Sequence, residues 1–136
     1  MGASEEGRRA IETDAAPPPV GPYSQAIETG GVLYCSGQVP LDAETGEVVG
    51  GGIAEQALRC LQSLDAVCRE AGTELSHAAR IGIYLTDMSL FGQVNDVYAT
   101  FFTKPFPART TVGVAALPKD ALVEMDATVP LAGGPR

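Results

Sequence analysis

Cations, histidine and cysteine are scarce in this 136-residue chain, and each scarcity excludes a class of function. Nine Lys and Arg stand against seventeen Asp and Glu, a formal net charge of −8. That balance argues against a nucleic-acid partner, because such binding rests on Lys and Arg neutralising phosphates. It leaves room for a local anion site. The only histidine is His77, and the three cysteines, Cys35, Cys60 and Cys68, form no Cys-x-x-Cys pair. So few ligands make neither a disulfide framework nor a metal site. An intrachain Ser-His-Asp triad is excluded unless His77 serves it, and His77 reads as a solvated residue at a helix-to-strand junction. No run of 18 apolar residues is present, so no membrane span is expected. Met1 to Gly7 lacks a signal-peptide pattern, and Glu6 stands where an acylation signal needs Ser or Thr. A cytoplasmic setting is expected.

What is present is a globular composition, 45% hydrophobic, in a length that suits one domain. Residues 1–7 read as a disordered N-terminus and residues 8–136 as the single domain. Arg8 to Thr13 reads as a short strand. The run Asp14 to Pro22, with four prolines, breaks regular structure. Tyr23 to Glu28 and Val32 to Gly37 read as strands joined by a hairpin turn at Thr29-Gly30-Gly31. Gly50-Gly51-Gly52 lacks the spacing and the lysine of a phosphate loop and reads as connector.

Ile53 to Ala71 carries Ala57, Cys60, Leu61, Leu64, Cys68 and Ala71 at helical spacing, with Gly72 where a C-terminal cap belongs. Cys60 and Cys68 therefore read as core residues. Arg80 to Leu85 alternates as a strand. Ser89 is placed to cap a second helix, Leu90 to Phe102, with Phe91, Val94, Tyr98, Phe101 and Phe102 on its apolar face. Lys104-Pro105-Phe106-Pro107 stops it.

The next strand holds the most suggestive residue. In Phe106-Pro107-Ala108-Arg109-Thr110-Thr111-Val112, Arg109, Thr111 and Gly113 share one face. A guanidinium on a rigid strand matches a carboxylate with two parallel hydrogen bonds, which suggests a clamp for a small carboxylate. An intersubunit or surface salt bridge is the alternative. After the turn Leu117-Pro118-Lys119-Asp120, the last strand, Leu122 to Val129, alternates Val123, Met125, Ala127 and Val129 with Glu124, Asp126 and Thr128. The polar face reads either as plainly solvated or as lining a wet cleft near Arg109. Strands alternating with helices suggest a mixed six-stranded sheet with two helices on one face. The other face, with Val32, Tyr34, Val112 and Val114, then needs a partner, so oligomerisation is expected.

Several local signatures occur in order: Gly21-Pro22-Tyr23-Ser24-Gln25, Cys35-Ser36-Gly37-Gln38-Val39-Pro40, Thr45-Gly46-Glu47, Val94-Asn95 before Tyr98, Phe106-Pro107-Ala108-Arg109, Leu117-Pro118-Lys119-Asp120, and the acidic strand around Glu124 and Asp126. Each alone is weak. The ordered set, from about Ile11 to Val129, closely resembles the RidA (YjgF) family of reactive-intermediate deaminases. The resemblance implies an α+β, chorismate-mutase-like (YjgF) fold, with the last strand inserted between Val32–Gly37 and Arg80–Leu85. Local reading alone would pair the last two strands as a hairpin. It also implies a homotrimer with ligand sites between subunits, and no cofactor.

The implied activity is hydrolysis of 2-imino and enamine acids, such as 2-iminopropanoate and 2-iminobutanoate, to 2-keto acids and ammonia. Arg109 matches the family arginine that grips the substrate carboxylate. Tyr23, Ser36 and Gly37 match the same cleft, Asn95 and Thr111 are carried over as substrate-binding positions, and Thr111 is not essential. Asp126 is read as standing where deaminase-active members carry the Glu that orients water, one methylene shorter. The Phe102–Phe106 segment is shorter than in several relatives. A non-catalytic small-carboxylate binder, or a chaperone-like or ribonuclease member of the fold, is the alternative.

Overall fold

The computed structural model describes residues 7–131. Most of the expected N-terminal tail, residues 1–6, lies outside the described residues, as do residues 132–136. The elements are β1 (Arg9–Ile11), β2 (Ala26–Thr29), β3 (Val32–Gln38), α1 (Ile53–Glu70), β4 (Arg80–Leu85), α2 (Phe91–Tyr98), β5 (Ala108–Gly113) and β6 (Val123–Pro130). They form one six-stranded sheet in the order β1-β2-β3-β6-β4-β5. β6 lies antiparallel to both β3 and β4, and β4 runs parallel to β5. The last strand is thus inserted into the middle of the sheet, and the local hairpin reading is corrected.

Local chemistry accounts for the elements. Gly30 and Gly31, at φ 61° and 80°, make a two-residue turn that pairs Thr29 with Val32. β2 starts at Ala26 rather than Tyr23, because a tight turn in which Tyr23 N–H donates to Gly21 O (2.8 Å) precedes it. α1 ends with the Thr73 N–H on Cys68 O (3.0 Å) and the Gly72 N–H on Arg69 O (3.1 Å), Gly72 holding φ 91°. The cap before α2 is Asp87 and not Ser89. Its carboxylate accepts from the Ser89 N–H (2.9 Å) and hydroxyl (2.7 Å), starting a 3₁₀ turn, Met88–Leu90, that leads into the helix. These hydrogen bonds hold the Asp87 carboxyl below its ordinary value. α2 also stops four residues earlier than expected. Past Ala99 the N–H groups of Thr100 and Phe101 bond the i−3 carbonyls of Val97 and Tyr98, and the Thr100 hydroxyl donates to Val97 O at 2.6 Å.

The register sorts the sheet into two unlike faces. Leu33, Cys35, Ile81, Ile83, Leu85, Val123, Met125, Ala127 and Val129 face the helices and are buried. Against them pack Ala57, Cys60, Leu61, Leu64, Val67 and Cys68 of α1 and Val94 and Tyr98 of α2. The opposite face carries Tyr34, Arg80, Tyr84, Thr110, Val112, Glu124, Asp126 and Thr128, with Tyr34 and Val112 exposed. It is mixed rather than purely apolar. In this register Arg109 and Thr111 pair with Ile81 and Ile83, so they lie on the helix-covered face.

Candidate active site

A cavity of about 410 Å³ opens where β3 is irregular, between Cys35 and Gln38. Its walls are the proline run (Pro17, Pro18, Val20) with Tyr23 just after it, the end of β3 and the residue beyond it (Ser36 to Val39), Pro118 and Glu124. The proline run is held in place by one buried side chain. Gln25 accepts from the Thr13 N–H (2.7 Å) and donates to Thr13 O (3.1 Å) and Pro17 O (2.9 Å). A buried amide with its hydrogen bonds made, on the residue just before β2, is a rigid tie to a segment that has no secondary structure of its own.

Ser36 is fixed from two sides. Its N–H donates to Gln25 O at 2.9 Å, and its hydroxyl donates to Ser24 O at 2.6 Å. With the hydroxyl hydrogen so engaged, the oxygen keeps acceptor capacity. Gly37 is required by space and not by backbone shape: a Cβ there would collide with the Glu124 carboxylate, which lies over it. Burial, and then the charge of Asp126, push the Glu124 carboxyl above its ordinary value. A half-buried carboxylate with raised proton affinity beside a hydroxyl, in a cavity, has the attributes of a proton-transfer group.

Arg109 belongs to a second cavity, of about 300 Å³, shared with Asn95, Tyr98, Ala99, Phe106 and Pro107. Its guanidinium carbon lies 4.8 Å from the centre of the Tyr98 ring and 5.5 Å from that of Phe91. No carboxylate among the described residues pairs with it. Stacking on two rings orients the fork and leaves its hydrogen-bond donors for an anion. Nearby on the same face, Thr111 Oγ1 is buried without a hydrogen-bond partner among the described residues, and so is the Tyr98 hydroxyl. Burial raises the Tyr98 phenol's proton affinity, so it stays a neutral donor.

The structure thus sorts the sequence-derived site residues into two groups. Tyr23, Ser36 and Gly37 share the first cavity, and Asn95 and Arg109 share the second. Thr111 lines neither. Asp126, expected to share a cleft with Arg109, lines neither and lies on the sheet face opposite to it. Its carboxylate accepts from the Tyr84 hydroxyl at 2.8 Å and pairs with Arg80 at 3.5 Å. The carboxylate in the cavity is Glu124. Alternation places both acids on one face and cannot tell them apart; the signal that does is the cross-strand glycine at 37. Gln25 has no local signature of its role, because that role lies in contacts with a segment eight to twelve residues away.

Within the one chain the two cavities are far apart for a small ligand. β5 lies two strands from β6, roughly 10 Å, and Arg109 lies three residues along from Val112, the position level with Glu124, another ~10 Å. The two groups also face opposite sides of the sheet. Among the described residues no group of three or more His, Cys, Asp or Glu could hold a metal ion, and no helix is long and apolar enough to cross a membrane.

Comparison with known proteins finds relatives along nearly the whole chain. The family model for endoribonuclease L-PSP matches residues 13–130. A RutC family protein of Pyrococcus abyssi is 44% identical over 88% of this chain and 94% of its own length. A 2-iminobutanoate/2-iminopropanoate deaminase of Dermatophagoides farinae is 42% identical over 90% of this chain and 95% of its own. The crystal structure of RidA from an Antarctic Psychrobacter superposes with a TM-score of 0.87 at 39% identity, covering 90% of this chain and 99% of that one.

Proposed function

The chain belongs to the RidA (YjgF) family, the family of the endoribonuclease L-PSP model, and from that premise we propose that it hydrolyses 2-imino and enamine acids to 2-keto acids and ammonia. The observation that carries the reading is Glu124, a half-buried carboxylate lying over Gly37 in a cavity that also presents Ser36 and Tyr23. An imine carbon is already electrophilic, so water needs orientation and one proton acceptor rather than a strong base. In the proposed reaction the Arg109 guanidinium holds the substrate carboxylate. As water attacks C2, Glu124 takes one of its protons and delivers it to the imine nitrogen, giving the carbinolamine. The carbinolamine hydroxyl proton then passes by way of Glu124 to the nitrogen as the C–N bond breaks, leaving ammonia and the 2-keto carbonyl.

Arg109 and Glu124 serve one small molecule only when two protomers adjoin, the second cavity of one meeting the first cavity of the next. This, with the exposed Tyr34 and Val112, supports a homotrimer with sites between subunits. Light scattering at micromolar concentration is expected to give three times the 14.1 kDa chain mass. The three free, buried cysteines suit a reducing, cytoplasmic setting.

The function is tested by generating imines from serine or threonine with a dehydratase and following keto-acid release. Faster release with the protein than without it is expected. Unchanged release, together with retained binding of a small 2-keto acid, points instead to a non-catalytic binder of the same fold, a reading that the unpaired Arg109 equally supports.

A further inference from the structure

Glu124 is not the only ionisable group on the outer face of the sheet. Asp126 is two residues on, on the same strand and face, and its carboxylate is gripped from β4 on both sides. Tyr84, level with Glu124 in the register, donates its hydroxyl to one Asp126 oxygen at 2.8 Å. Arg80 lies 3.5 Å from the other. Between them, at position 82, there is no side chain: a Cβ on Gly82 would collide with the Asp126 carboxylate and lie 3.0 Å from the Tyr84 hydroxyl and 3.2 Å from the Arg80 guanidinium. Gly82 thus leaves a slot into which three side chains converge, next to the carboxylate of the first cavity.

We propose that Asp126, held by Tyr84 and Arg80 over Gly82, is a positioning residue for Glu124: a fixed negative charge, partly offset by one guanidinium, that sets the pH at which the cavity carboxylate exchanges its proton. The inference rests on the reading of Glu124 as the proton acceptor. It moves Asp126 from the reacting water to the electrostatics of its neighbour. A like charge two residues away on one strand face disfavours ionisation, and a guanidinium on that charge weakens the effect. Tyr84 carries the imprint of the same contact, since the bond to Asp126 raises its phenol's proton affinity.

The other groups that face Glu124 are few. On β3 it meets Gly37, which has no side chain, with Ser36 and Gln38 beside it. Tyr23 is the other titratable group lining its cavity. From α1 the Cys60 thiol approaches β6, its Sγ 3.7 Å from Val123 O, and burial keeps that thiol protonated. At the turn after β5, Lys119 has its Nζ on Gly46 O at 3.0 Å. Asp126 is therefore the near charge of the same sign, and Arg80 its direct counter-charge.

The test uses two substitutions of opposite sign. At low ionic strength the assembled protein is titrated, with the ¹³C carboxyl resonance of Glu124 as direct readout, assigned by its loss in Glu124→Gln. The acid limb of kcat/KM is followed in parallel. Asp126→Asn is expected to move the Glu124 midpoint, and the limb with it, to lower pH. Arg80→Gln is expected to move both to higher pH. Both displacements are expected to shrink in about 1 M salt, where the screening length is ~3 Å. A purely structural role would lower activity in both variants and move neither midpoint. Midpoints that stay put, or that move the same way in both variants, overturn the proposal. If Asp126→Asn fails to fold, Arg80→Gln alone decides by its sign. If the wild type hydrolyses no imine, the reading of Glu124 as proton acceptor fails, and the resonance still decides the coupling between the two carboxylates.

Discussion

Replacement of Arg109 by lysine tests the carboxylate clamp most directly, because it keeps the charge and removes the fork. In the structure the guanidinium rests on two rings, 4.8 and 5.5 Å from their centres, and pairs with no acid among the described residues. Two losses follow, and they are separable. Losing the stacking contacts costs folding about 0.5–1 kcal/mol for a half-buried cation, a fall of a few degrees in Tm. Losing a bidentate charged contact to substrate costs roughly 1.5–3 kcal/mol, which is about ten- to hundredfold in kcat/KM. The lysine variant is therefore expected to assemble and melt nearly normally while hydrolysing 2-iminopropanoate ten- to hundredfold more slowly. Imines that lack a carboxylate provide the control: wild type and variant should hydrolyse them at equal rates. A correctly assembled Arg109→Lys protein with wild-type kcat/KM for the imino acid would refute the clamp, since an ammonium cannot reproduce the planar pair of donors.

Three further outcomes follow from the first cavity and the frame around it. Glu124→Gln is expected to lower turnover by roughly 10²–10⁴-fold and to raise Tm at neutral pH. Its raised proton affinity means that folding disfavours the charged form; this penalty is absent below the ordinary carboxylate range and present above the folded value, so melting curves of the two proteins should coincide near about pH 3 and separate as pH rises. Gly37→Ala needs no unusual backbone but pushes the Glu124 carboxylate aside, so the assay should show lost turnover with the oligomer and its keto-acid affinity retained. Gly72→Ala meets open space but must hold φ 91°, so calorimetry should show a loss of about 1–2 kcal/mol in stability and no change in turnover per folded site.

Much of this protein was legible in its sequence because its signals are local. The apolar spacing of Ala57, Cys60, Leu61, Leu64 and Cys68, with Gly72 after it, specified α1 almost to its ends. Alternation in Arg80–Leu85 and in β6 specified which side chains meet the helices, and Gly30-Gly31 specified the hairpin. The residue types of the site were legible too: an arginine on a strand, acids on the polar face of another, a glycine and a hydroxyl at the end of a third.

What only the tertiary structure decided is which of these residues meet. The insertion of β6 between β3 and β4 is a long-range pairing that no local pattern encodes; the resemblance supplied that order, and the register supplied its consequence. It sets Glu124 over Gly37 and gives Asp126 to Tyr84 and Arg80, although a period of two makes both acids equivalent along the strand. The parallel register of β5 against β4 put Arg109 on the face opposite to both acids. Alternation assigns a side chain to a face of its own strand; only the neighbouring strand says which face of the sheet that is.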